Sequence, residues 1–119
     1  MRETAFQKQC LDWIKDNYRG RLLAVNIHGG GYSNKGFPDI LVFGDQKAVA
    51  VELKADSGYK VQPDQIIWRR RFKAVGTPHY VIDDFDTFVE VMTKEFDLHE
   101  DQERSTQKGR QGRLQARRG

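Results

Sequence analysis

Two apolar runs joined by a very short polar link constrain this chain most. Residues 38–44 end in Ile40-Leu41-Val42-Phe43-Gly44, residues 47–55 carry Ala48-Val49-Ala50-Val51-Glu52-Leu53-Lys54, and only Asp45-Gln46 lies between. Short runs rich in β-branched residues around a tight turn predict a β-hairpin. With Asp45 and Gln46 at its tip, Phe43 falls opposite Ala48, Leu41 opposite Ala50, and Asp39 opposite Glu52. Side chains alternate along a strand, so Ala48, Ala50, Glu52 and Lys54 share one face, where the alanines leave room for a helix. The turn chemistry leaves room for a slip of a residue or two, which would still leave Asp39 near the Glu52 and Lys54 end. Two acids and an amine at an apolar strand end are costly to bury unless neutralised, and a hard cation bound through oxygen would neutralise the acids.

The remaining elements follow from periodicity and breakers. Over residues 3–17, Phe6, Cys10, Trp13 and Ile14 recur at helical spacing, and Gly20 ends the pattern. Residues 21–28 read as a strand, followed by a polar loop opening on Gly29-Gly30-Gly31. After a polar stretch at 56–62, Pro63 suits the first position of a helix that runs to about Val75, with Gly76 as its stop. Residues 78–83 read as a strand. Residues 84–96 read as a helix with Phe85, Phe88, Val89, Met92 and Phe96 on one side. The order α-β-β-β-α-β-α predicts an α/β fold with a mixed central sheet flanked by helices. Residues 1–97 form the expected domain and 98–119 a polar basic tail.

Size and charge narrow the function. At 119 residues the chain suits one domain with one modest core. No apolar stretch approaches the ~20 residues of a membrane span, and no basic-then-apolar start suggests a secretory signal. Cys10, the only cysteine, rules out an internal disulfide and fits an intracellular, cytoplasmic setting. No cluster of Cys and His suggests zinc. The net charge is +3, yet residues 104–119 contribute six basic residues and no acid, so residues 1–103 sum to −3. A tail of that kind can grip phosphates nonspecifically, or it can be a solvated end.

Roles for the charged strand end suit metal-assisted attack on a phosphodiester. Asp39 and Glu52 would bind Mg²⁺ or Mn²⁺ through oxygen, with the backbone carbonyl of Leu53 as a further ligand. Lys54 would orient the attacking water or stabilise developing charge. A surface Asp beside a Glu–Lys pair remains the competing explanation of these three residues by themselves.

In sequence order, Gly36-Phe37-Pro38-Asp39-Ile40, Val51-Glu52-Leu53-Lys54 and the helix with Gln65-Ile66-Ile67-Trp68 before Gly76 resemble the PD-(D/E)XK nuclease superfamily. Within it the chain resembles the virus-type replication-repair nuclease (VRR-NUC) domain, over roughly residues 1–95. The resemblance implies a restriction-endonuclease-like fold and a Mg²⁺- or Mn²⁺-dependent deoxyribonuclease. It matches Asp39, Glu52 and Lys54 to the family's central motif, Glu3 to the acid of its first helix, at the metal directly or through water, and Gln65 to its helix glutamine. It further implies a homodimer acting on branched DNA such as a Holliday junction, often phage-encoded. A noncatalytic DNA-binding module of the same fold, and a nuclease for single-stranded or nicked DNA, stay open on the sequence.

Weaker features surround this set. Lys35, Arg69 and Arg70 are candidate phosphate contacts, although Arg69-Arg70-Arg71 fits a solvated helix face equally well. His28 beside the glycine-rich loop is more simply structural than catalytic. Trp68 and Phe72 are expected in the core, and Cys10 as a buried apolar group with no base to activate it.

Overall fold

A computed structural model describes residues 3–27, 35–55 and 62–98. His28, the glycine-rich loop up to Asn34 and the basic tail from residue 99 onward lie outside the described residues. The elements are α1 (Glu3–Tyr18), β1 (Leu23–Asn26), β2 (Ile40–Gly44), β3 (Lys47–Leu53), α2 (Pro63–Ala74), β4 (His79–Ile82) and α3 (Phe85–Phe96), in the predicted order.

The hairpin forms in the register read from the sequence. Ile40 pairs with Val51, Leu41 with Ala50, Val42 with Val49 and Phe43 with Ala48. Asp45 and Gln46 both take positive φ, 51° and 65°, the left-handed pair of a two-residue type I′ turn whose twist matches that of the strands. The sheet runs β1-β2-β3-β4. β1 and β2 are antiparallel neighbours, whereas β3 and β4 run parallel. Parallel neighbours need a crossover, and α2 supplies it, so α2 starts near the end of β3 and returns to the start of β4.

The core lies on one face of this sheet. Ile40, Val42, Val49, Val51, Leu53 and Ile82 pack there with Phe6, Cys10, Ile14 and Tyr18 of α1 and Phe88, Met92 and Phe96 of α3. The α1 residues recur every fourth position and so form one stripe. Cys10 is fully buried, and burial pushes its thiol up to about 12. It is therefore a small apolar filler rather than a thiolate. Asp84 caps α3 by accepting the Thr87 N–H at 2.7 Å. Leu98, placed in the tail by the sequence reading, is buried with this core.

The other face is covered differently from expectation. α2 has no buried residue, so Trp68 and Phe72 are half-buried and stand outside the main core. They form a satellite cluster instead, with Phe37 edge-on to both at 4.8 and 5.6 Å and His79 beside Phe72 at 5.8 Å. With one face already occupied by α1 and α3, α2 is left with the narrow strip beside β4. At the turn end this face is bare, and the paired Leu23 and Phe43 are exposed.

Candidate active site

Two chain segments build the site, and α2 locks them together. Gly36 takes φ +84°, and a Cβ there would lie 2.6 Å from Asp64 atoms in the first turn of α2. Glycine thus permits both the left-handed backbone and the close approach. Phe37 then inserts under Trp68 and Phe72, while the indole N–H of Trp68 donates to the Lys35 carbonyl at 3.1 Å. The chain leaves this anchor through Pro38 and delivers Asp39 to the base of β2. Gly36→Ala is expected to cost about 2 kcal/mol or more, combining left-handed strain with a backbone clash. Urea unfolding measures it, and cleavage should fall with it because Gln65 adjoins the displaced Asp64.

The acids meet where the sequence predicts. Asp39 Oδ2 accepts the Leu53 backbone N–H at 2.8 Å, across the hairpin. Glu52 is 5% exposed. Its Oε2 lies 3.3 Å from Lys54 Nζ and accepts from Gln65 Nε2 at 2.7 Å. Gln65 is itself oriented, since its Oε1 accepts the N–H of Gln62 at the start of α2 at 3.1 Å. The Leu53 amide thus engages Oδ2 of Asp39, while Gln65 and Lys54 meet at Oε2 of Glu52.

Electrostatics records the crowding. Burial, then the neighbouring Asp39 carboxylate, push Glu52 up to about 7, against the pull of Lys54. Burial raises Asp39 as well, and Glu3 adds to this, while the Leu53 N–H and Lys54 oppose it. Glu3, in the first turn of α1, thus acts on both acids through its charge, although its own position is exposed. Among the described residues no group of three His, Cys, Asp or Glu side chains is arranged to hold a metal ion. The arrangement offers two carboxylates, with Glu3 at its margin.

The structure therefore brings together Asp39, Glu52, Lys54 and Gln65, with the Leu53 backbone between them. Lys35, Arg69 and Arg70 stand on the surface around this group and are not among the residues bonded within it. Lys35 Nζ stands 3.6 Å from Asp64 Oδ2 on the surface, and Arg69 and Arg70 are exposed on α2. Sequence reasoning missed Gly36 as the contact that admits α2 and the Leu53 amide that fixes Asp39. It also passed over Lys73 and His79, although Lys73 repeats the spacing from Gln65 to Arg69.

No protein-family model matches the sequence, and no curated protein is similar to it. Among solved structures, a VRR_NUC domain is similar at 25% identity and a TM-score of 0.61, over 76% of this chain and 92% of that one. A VRR_NUC domain protein is similar at 19% identity and a TM-score of 0.69, over 82% and 90%. The second likeness is one of fold alone. Over most of its length, this chain shares with both structures a restriction-endonuclease-like α/β architecture, the fold of VRR-NUC domains.

Proposed function

We propose that this protein is a metal-dependent endonuclease hydrolysing DNA phosphodiester bonds. The observation that carries the reading is the convergence of Asp39 and Glu52 beside Lys54 and Gln65. Burial raises the proton affinity of both acids. Such a pair fits a hard divalent cation, Mg²⁺ or Mn²⁺, better than zinc, which prefers nitrogen and sulfur. Asp39 and Glu52 would hold it, with the Leu53 carbonyl and, through water, Glu3. When bound, the cation supplies charge neutralisation at the phosphate and acidifies water.

The protein's own groups do the remainder. The Leu53 N–H fixes one oxygen of Asp39 and Gln65 fixes one of Glu52, so both carboxylates are pre-oriented. Lys54 brings a positive charge to within 3.3 Å of Glu52. From there its ammonium can orient the attacking water and stabilise charge developing on the phosphate oxygens.

We assign branched DNA, of the four-way-junction type, as the preferred substrate and a homodimer as the working form. A two-fold pair presents two such sites to a symmetric junction, and the bare Leu23–Phe43 corner offers apolar surface for a second copy. No helix among the described residues is long and apolar enough to cross a membrane. The decisive measurement is cleavage in Mg²⁺ on matched linear, single-stranded, nicked, flapped and four-way DNA, with solution mass measured alongside. Preferential cutting of the four-way DNA by a dimer is expected. Binding without cleavage on every substrate would leave only a DNA-binding module.

A further inference from the structure

A basic cleft lies between the C-terminal half of α2 and the start of β4. Arg69, Lys73, Gly76, Thr77, Pro78 and His79 line a volume of about 430 Å³, many times the ~30 Å³ that one water occupies. None of these residues is acidic. Arg69 and Lys73 are four apart, so like charges sit on successive turns and repel, and neither has an ion-pair partner among the described residues. His79 Nδ1 is buried without a well-formed hydrogen bond. Burial and then the neighbouring Arg69 hold its pKa down, opposed in part by its own backbone.

A fold does not need this arrangement. The helix dipole accounts for Lys73, in the last turn of α2, but not for Arg69 further back. The last carbonyls of α2 are already occupied, since the N–H groups of Val75, Gly76 and Thr77 bond back to Arg71, Phe72 and Lys73. The half negative charge of the helix end is smaller than the two full positive charges beside it. Two exposed cations beside an unpartnered imidazole nitrogen make a cleft suited to an anion.

The cleft lines up with the acidic centre. Gln65, which holds Glu52, begins a stripe that continues through Arg69 and Lys73 at steps of four. Along the helix axis that places them about 6 and 12 Å from Gln65. On the sheet, His79 pairs with Ala50 and Val81 with Glu52. His79 therefore shares the face of Glu52, two residues or about 7 Å away along the strand. A strand of duplex DNA advances about 3.4 Å per nucleotide along the axis, so the cleft stands two to four nucleotides from the acids.

We propose that Arg69, Lys73 and His79 form a phosphate-binding subsite that grips the DNA backbone two to four nucleotides from the phosphate being cut. The proposal rests on the DNA-cleaving function inferred above and adds to it the path of the strand, along α2 towards β4. Thr77 contributes a hydroxyl donor to the same cleft. Contacts of this kind set register on the DNA without reading sequence.

The test maps the wild-type cut in Mg²⁺, then measures binding without metal to duplexes carrying a single neutral methylphosphonate at successive positions. Wild type should lose affinity about tenfold at one position two to four nucleotides from the cut, the worth of a charge-assisted contact. Lys73→Ala and Arg69→Ala should each lower affinity for unmodified DNA, and each should reduce the salt slope by about one. Lys73→Ala should also become insensitive to the methylphosphonate that harms wild type. Lys94→Ala, an exposed lysine on α3, should bind as wild type does. Alanine favours helix, so the α2 variants should fold, and circular dichroism checks this. Wild-type affinity and salt slope in both variants, with DNA still cut, would overturn the subsite alone. A wild-type protein that neither binds nor cuts DNA would overturn the function as well.

Discussion

Glu52→Gln should leave the metal-free protein more stable at pH 8 and unable to cut DNA. Glu52 is buried beside Asp39, and its pKa in the folded protein stands at about 7 against an ordinary 4.5. A carboxyl with a raised folded value binds its proton more tightly folded than unfolded. Its contribution therefore weakens the folded state as pH climbs from about 4.5 to 7, and the full penalty persists above 7. At 1.36 kcal/mol per pKa unit, the penalty is on the order of 3 kcal/mol. An amide at this position does not titrate, and its oxygen can still accept from Gln65. Urea unfolding in chelator should show wild-type stability falling between pH 5 and 7, a smaller fall in the variant, and a variant advantage of about 1–3 kcal/mol at pH 8. Added Mg²⁺ should reverse the order, because ligand binding stabilises only the protein that retains both carboxylates. At pH 7, binding should also release about half a proton from Glu52. A variant less stable than wild type at pH 8 would mean that Lys54 and Gln65 already satisfy the carboxylate, leaving no electrostatic strain for a cation to relieve.

The part of this centre that a hairpin determines was legible in the sequence. Asp45-Gln46 left so little chain between the apolar runs that Asp39 had to end near Glu52 even with a slip of register, and the structure takes the two-residue turn. The stripe of Phe6, Cys10 and Ile14 similarly announced the core face of α1. What the sequence concealed depends on how α2 docks. Trp68 and Phe72 look like core residues because they are large and share a helical face. That face meets Phe37 and His79 at the edge of the sheet, after α1 and α3 have filled the other side. Backbone contacts are equally silent, since the Leu53 N–H that orients Asp39 would be present whatever side chain stood there. The spacing of Gln65, Arg69 and Lys73 was visible, but its meaning depends on β4 bringing His79 to the same cleft.

Lys54→Ala should reduce DNA cleavage by about 10²- to 10⁴-fold, the range for losing a positioned proton-transfer or charge-stabilising group. Lys54 is held for this role by geometry. Its backbone N–H bonds to the Ile82 carbonyl at 2.9 Å, which fixes the residue just past the end of β3. Its side chain, 17% exposed, brings the ammonium to 3.3 Å from Glu52 Oε2. One charge among many phosphate contacts contributes little to overall affinity, so DNA binding should fall by less than about tenfold. The substitution also removes a group that lowers the pKa of Glu52. The remaining carboxylate should therefore hold its proton to higher pH, and metal affinity should weaken near pH 7. Raising the pH to 8.5 should restore metal binding, read by calorimetry, while cleavage stays low. That split separates a direct part for the ammonium in the reaction from an indirect effect through Glu52. Lys54→Arg should not recover full activity, because a planar guanidinium places its donors differently from a compact ammonium. If Lys54→Ala instead turns over at the wild-type rate at pH 8.5, the phosphate is being attacked elsewhere, and the convergence at Asp39 and Glu52 is structural.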